Sequence, residues 1–244
     1  MKRLLFAGIM AAAMFVASAS KAEAVTLTAV ICQGGVGCQI FGPVAGPGPL
    51  NGSATVGDYT ISGSVSSNEN PLVSSAATTT IAIRKVTDNL DTPLEIYLVA
   101  TGFTMPAGPN YQISSTASAT SSAAPAASTA TFQGWVNFAN SGALPPGTAP
   151  SGTTPGQQNC ALSAGVIDNC PSADLITFTN AGLTPFSIIT LTTFNVGTAS
   201  TGATYTTNAQ INVTPVAVPE PASMMLLGSG LVGLAMAVRR RRRS

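Results

Sequence analysis

The 244-residue chain contains no histidine. That absence excludes histidine general acid–base chemistry, Ser-His and Cys-His nucleophile pairs and every histidine-containing zinc site. Charge is also scarce: Asp, Glu, Lys and Arg make up 8% of the residues, against roughly 25% in an average globular chain. Tryptophan occurs once, at Trp135. The net charge of +1 hides an uneven distribution. Lys2, Arg3 and Lys21 outnumber Glu23 at the N-terminus, and Arg239 to Arg243 outnumber Glu220 at the C-terminus. Between them, Arg84 and Lys85 face Asp58, Glu69, Asp88, Asp91, Glu95, Asp168 and Asp174. The middle is therefore acidic, which argues against nucleic acid as a partner.

The two apolar ends have different forms. Lys2 and Arg3 precede an uncharged run over 4–17, too short to span a bilayer, and a polar stretch closing on Ala22-Glu23-Ala24. Basic start, short apolar run and small residues two apart are the parts of a signal peptide. Residues 1–24 are expected to be removed, with cleavage after Ala24 and Ala17-Ser18-Ala19 as the weaker choice. At the other end, Pro219-Glu220-Pro221 is followed by the uncharged run 222–238 and then by Arg239, Arg240, Arg241, Arg242 and Arg243. A helix over 222–238 is about 26 Å long, just enough to cross a ~30 Å hydrocarbon core if the arginines snorkel. The arginines would stay cytoplasmic, which puts Pro219 to Pro221 at the outer face of the inner membrane. Two prolines hold Glu220 in an extended backbone, the shape in which proteases grip a chain.

This ordered tail, 219–243, resembles the PEP-CTERM sorting signal of Gram-negative bacteria. The resemblance implies an exported protein whose tail is recognised by an exosortase, an integral-membrane cysteine protease. The inner membrane would be a transient partner, and the destination the cell surface or the exopolysaccharide matrix. A structural, adhesion or biofilm role without catalysis follows as the expectation, with exopolysaccharide as a candidate ligand. A secreted carbohydrate-active enzyme, a glycan-binding module and an unprocessed tail-anchored membrane protein are the alternatives. The resemblance does not extend upstream of the tail.

Residues 25–218 are expected to form an all-β, antiparallel β-sandwich. Leu94, Ile96 and Leu98 alternate with Glu95 and Tyr97, and Ala209, Ile211 and Val213 alternate with Gln210 and Asn212, the period of a strand with one buried face. Further candidate strands cover 25–31, 54–65, 79–86, 131–138, 174–179 and 186–194. Glycine, proline and asparagine clusters at 42–52, 106–110 and 145–156 separate most of them. Residues 114–131 hold only Ser, Thr and Ala apart from Pro125. With nothing large to bury, they are expected to be a loop, spacer or O-glycan acceptor.

Export would carry Cys32, Cys38, Cys160 and Cys170 into an oxidising compartment. Of the three possible pairings the local one is favoured, Cys32 with Cys38 and Cys160 with Cys170, because the intervening glycines and the Asp168-Asn169 turn let the chain double back. Zinc is disfavoured by the spacing, and no metal or cofactor is expected. On 131–138, Gln133, Trp135 and Asn137 share one strand face. That face could offer a ring and amides to a sugar, but packing of the tryptophan beneath a loop or against the second sheet is preferred, because large aromatic side chains are mostly buried. Asp88, Asp91 and Glu95 lie close enough in sequence to suggest calcium, but the spacing lacks a calcium-loop pattern and an ordinary turn is preferred. A carboxylate pair for glycoside hydrolysis could come from Asp58, Asp88, Asp91, Asp168 and Asp174, yet nothing in the sequence sets two of them at the required separation. No catalytic residue is assigned.

Overall fold

The computed structural model describes residues 25–34, 36–46, 49–85, 92–106, 110–122, 128–142, 150–162, 164–165, 167–170, 175–179, 185–196, 202–216 and 228–231. The signal peptide, the Pro-Glu-Pro triplet, the arginine cluster and most of 222–238 lie outside them. Within that tail, 228–231 form one exposed helical turn. Among the described residues no helix is long and apolar enough to cross a membrane.

The chain folds into two antiparallel sheets, as the strand periodicity predicts. Strands are numbered in chain order: β1 Thr26–Gln33, β2 Val36–Ala45, β3 Leu50–Val56, β4 Tyr59–Glu69, β5 Ser74–Lys85, β6 Leu94–Phe103, β7 Asn110–Ser121, β8 Thr129–Asn137, β9 Gln157–Ala161, β10 Ile167–Asn169, β11 Ile176–Thr179, β12 Phe186–Asn195 and β13 Thr204–Pro215. The first sheet runs β2-β1-β6-β12-β8-β9; the second runs β10-β7-β13-β5-β4-β3, with β11 also paired to β7. The core lies between them. Leu94, Ile96 and Leu98 point inward from β6, and Tyr205, Ile211 and Val213 meet them from β13. Burying a side chain of this size contributes roughly 1.5–3 kcal/mol.

Close approach of the sheets depends on Gly134. A Cβ there would come within 2.5 Å of Ile211 Cδ1, so the missing side chain is the socket into which Ile211 fits. The lateral edges are closed in two ways. On one side the chain passes from β2 in one sheet directly to β3 in the other. On the other side the Cys160–Cys170 disulfide, with Cα atoms 4.7 Å apart, joins β9 to the residue after β10. The second disulfide, Cys32–Cys38, sits across the β1–β2 hairpin with Cα atoms 4.2 Å apart.

Three expectations change. Residues 114–121 are not a spacer: they belong to β7, which pairs with β13 from Tyr111 to Ser121. Small residues suffice because neighbours supply the bulk: Ala117 and Ala119 pack in a cluster with Phe194 of the opposing sheet and Tyr205 of the adjacent strand β13. The expected strand 54–65 is instead a hairpin, broken at Gly57 and Asp58 between β3 and β4. Gly57 has φ +53°, and a Cβ there would collide with the Gln33 carboxamide. The cluster 42–52, expected to separate strands, instead lends residues 42–45 to β2 and 50–52 to β3, with an irregularity in the pairing of β2 to β1.

Candidate functional site

The strand registers define two ends of the sandwich. At one end are the turn linking β3 to β4, the β1–β2 hairpin turn, the start of β6 and the start of β13. Gln33 and Asp58, both buried, tie this end together. Gln33 Nε2 donates to Thr92 Oγ1 at 2.8 Å and to Asp58 Oδ2 at 3.3 Å, while the Asp58 N–H donates to Gln33 Oε1 at 2.8 Å. At the opposite end lie the start of β1, the β4–β5 turn, the end of β6 and the end of β13. There Glu69 of the second sheet accepts from Thr104 Oγ1 at 2.9 Å and from the Met105 N–H at 2.8 Å, and also from the Thr104 N–H. These bonds fasten β4 to the chain leaving β6. Four aromatic contacts continue the junction: Phe103 on Phe186 (5.4 Å), Phe186 on Phe138 (6.2 Å), Phe138 on Phe178 (5.0 Å) and Phe178 on Tyr111 (5.4 Å).

The outward face of the first sheet is apolar and covered. Val99, Trp135 and Ile189 form one cluster there, and Val30, Cys32 and Tyr97 form a second. The chain after β8 folds over the first of these. Thr153 exchanges two 2.9 Å backbone hydrogen bonds with Val136, and Gly142 lies close to Thr101 and Val99. Trp135 is 6% exposed, so its ring is not free to stack on a sugar. Its two neighbours on that face are engaged as well: Asn137 Nδ2 donates to Ser151 and Gln133 Nε2 donates to Thr154 Oγ1. Of the two readings of Gln133, Trp135 and Asn137, the structure bears out the preferred one, a tryptophan packed beneath a loop.

The outward face of the second sheet is different. Register aligns Ser66, Ala77, Gln210 and Thr116 in one row across β4, β5, β13 and β7, and Asn68, Ser75, Asn212 and Ser114 in the next. Rows of this kind repeat about 4.8 Å across the strands and about 7 Å along them. The described side chains in both rows are hydroxyls, amides and a methyl. A shallow depression of about 340 Å³ opens beside the register shift in β13, lined by Ala77, Thr116, Ser118, Asn208 and Gln210. The residues of these two rows can donate and accept hydrogen bonds. Sequence reasoning missed it. The threonine and serine abundance was visible, but the pairing of residues about a hundred positions apart was not.

The acidic residues are not drawn together where they can be followed. Asp58 is held by Gln33, and Glu95 Oε2 accepts from Tyr97 Oη at 3.2 Å. The backbone of Asp168 lies in β10. Asp88, Asp91 and Asp174 are outside the described residues. Among the described residues no group of three Cys, Asp or Glu could hold a metal.

Fold and tail together define a two-sheet, all-β domain whose last strand ends at Pro215, four positions before the sorting triplet begins at Pro219. The family model of the PEP-CTERM protein-sorting motif matches residues 217–242, and nothing recognises the rest of the chain. The motif implies export, passage through the membrane and processing by an exosortase. No curated protein matches the sequence. Among solved structures, the chain is similar to the N-terminal cellulose-binding domain of β-1,4-glucanase C from Cellulomonas fimi, at 15% identity over 63% of this chain and 85% of that one, with a TM-score of 0.24. It is also similar to a chain of infectious bursal disease virus Gx strain, at 15% identity over 83% and 53%, with a TM-score of 0.30. Neither superposition is close enough to carry a site across.

Proposed function

We propose that this protein is an exosortase substrate whose domain, freed from its tail, serves without catalysis as a structural or adhesive component of the cell surface or exopolysaccharide matrix. The sorting motif at 217–242 carries this reading. Two further observations support it. The chain has no histidine, and the outward face of the second sheet is a hydroxyl and amide surface suited to hydrated polysaccharide. Along those two rows the contacts would be many, weak and uncharged, so attachment through them would depend on area and change little with salt.

Mass spectrometry of the protein from cells with and without an active exosortase tests the reading. With the enzyme, the chain should begin at Val25 and end near Pro219 to Pro221; without it, the tail through Arg243 should remain. A tail retained in both strains would sink the proposal. A tail lost in both would remove the exosortase from it.

A further inference from the structure

We propose that the end of the sandwich carrying the β4–β5 turn rests on the lipid surface of the inner membrane while the tail is still attached. The inference relies on the sorting reading, which makes 222–238 a membrane segment. Three observations converge on that end. The first is chain length. Val216 is fastened to the domain by donating its N–H to Asn110 O at 3.0 Å. From there to Ala222 the extended chain spans at most about 21 Å, and the headgroup layer takes about 5–8 Å of it. The domain therefore has little freedom to stand away from the bilayer. Its first strand starts at this same end, where Val25 is 3% exposed and its carbonyl accepts from the Gly46 N–H at 2.8 Å.

The second observation is charge. Among residues with a described backbone, Asp58, Arg84, Lys85, Glu95 and Asp168 all lie at or near the far end. Glu69 alone lies at the near end, and its carboxylate is occupied by Thr104 and Met105. Side-chain charge at this end is therefore limited to one hydrogen-bonded carboxylate, and the α-amino group that signal-peptide cleavage would leave on Val25 is a cation, which an anionic headgroup layer attracts. The third is Leu72, which stands 77% exposed at the tip of the β4–β5 turn. Asn70 Oδ1 accepts from both Leu72 N–H and Val73 N–H at 2.9 Å, which fixes the turn with the leucine outward. Because Ser74 pairs with Val213, this turn is level with the point where the chain leaves for the membrane. An exposed leucine there has an apolar layer within reach, and the interface is where such a side chain gains by inserting.

The test uses the tail-bearing protein from cells lacking exosortase, reconstituted into phosphatidylethanolamine–phosphatidylglycerol vesicles with or without brominated acyl chains. Two variants, Leu72→Trp and Thr204→Trp, are compared; both keep Trp135, so their difference isolates the new ring. Thr204 opens β13 at the far end, about 37 Å along the strand from Pro215. Bromination should reduce the added emission in Leu72→Trp to about half or less, as expected for a ring held at the headgroup boundary, and leave that of Thr204→Trp unchanged. If neither is quenched, the domain stands off the bilayer; if both are, it lies on its side; either result overturns the inference. Protein that fails to float with the vesicles shows that the tail does not anchor, and the sorting reading falls with it. Tail removal by exosortase together with unquenched emission from Leu72→Trp defeats the docking inference alone.

Discussion

Removing the Cys160–Cys170 disulfide should loosen one lateral edge of the sandwich and leave the other intact. The bond closes a sequence separation of 10, for which loop-closure entropy in the unfolded chain is about 9 cal/mol/K, or about 2.7 kcal/mol at 25 °C. The separation of 6 between Cys32 and Cys38 gives about 2.2 kcal/mol by the same relation. Chain entropy thus predicts nearly equal losses, and the structure separates the two by place. Cys32 and Cys38 lie in strands already paired along the β1–β2 hairpin. Cys160 and Cys170 join different sheets where the edge strands are only 5 and 3 residues long. The Cys160→Ala/Cys170→Ala protein should lose about 5–11 °C in Tm, given roughly 2–4 °C per kcal/mol for a domain of this size. Its amides at 157–161 should exchange faster, while those of β12 lose protection only in line with the global change. The Cys32→Ala/Cys38→Ala protein should show a similar Tm loss without selective exchange at 157–161. Circular dichroism and hydrogen exchange by mass spectrometry read both. Equal protection of 157–161 in the two variants would refute the idea that this bond is what holds the sheets together at that edge.

The socket at position 134 predicts that Gly134→Val, which would drive a side chain against Ile211 Cδ1, costs about 1–3 kcal/mol in urea unfolding. Ile211→Ala should recover part of that loss, and strict additivity of the two changes would contradict the fit. At the opposite end, Glu69→Ala removes the acceptor shared by Thr104 and Met105 and should cost about 1.5–3 kcal/mol. Glu69→Gln keeps an acceptor oxygen and should cost less; equal losses would mean that charge, not acceptance, holds the junction.

How much of this was legible in sequence depended on what each strand had to bury. The alternation of Leu94, Ile96 and Leu98 and the apolar residues of 186–194 marked β6 and β12 because those strands supply large side chains to the core. Beyond Tyr111 and Ile113 the β7 strand left no such mark. Its core-facing alanines and serines fit against bulk provided by β12 and β13, so composition alone gave the wrong state. For Trp135 the preferred reading, burial beneath a loop, holds, but which segment covers it was not legible. The alternation on β8 correctly separated two faces, but a one-strand pattern cannot show that residues after β8 return to cover the outward one. The disulfide pairs, by contrast, followed from short spacings that constrain the chain locally. The sorting tail was legible because order alone defines it: triplet, apolar run, arginines. The hydroxyl rows of the second sheet depend on a register between β7 and β13 that no local signal encodes.

The order of strands along the chain bears on when this domain can form. The last strand, β13, is not an edge: it lies between β7 and β5, pairing with Arg84 through Ser74 on one side and Ser121 through Tyr111 on the other. Without it the second sheet falls into two parts, β10-β7 with β11 and β5-β4-β3, and the core loses Tyr205, Ile211 and Val213 together. Two long ladders and three buried side chains exceed the few kcal/mol by which domains are stable. The sandwich therefore closes only once residues 204–215 have joined it. Only Val216, Ala217 and Val218 separate that strand from Pro219. If 222–238 stops in the membrane, as the sorting reading requires, the last piece of the fold is delivered as the tail reaches the bilayer. Folding is then completed beside the membrane, with the end poorer in charged side chains nearest to it and the end carrying Asp58, Arg84, Lys85 and Glu95 in water.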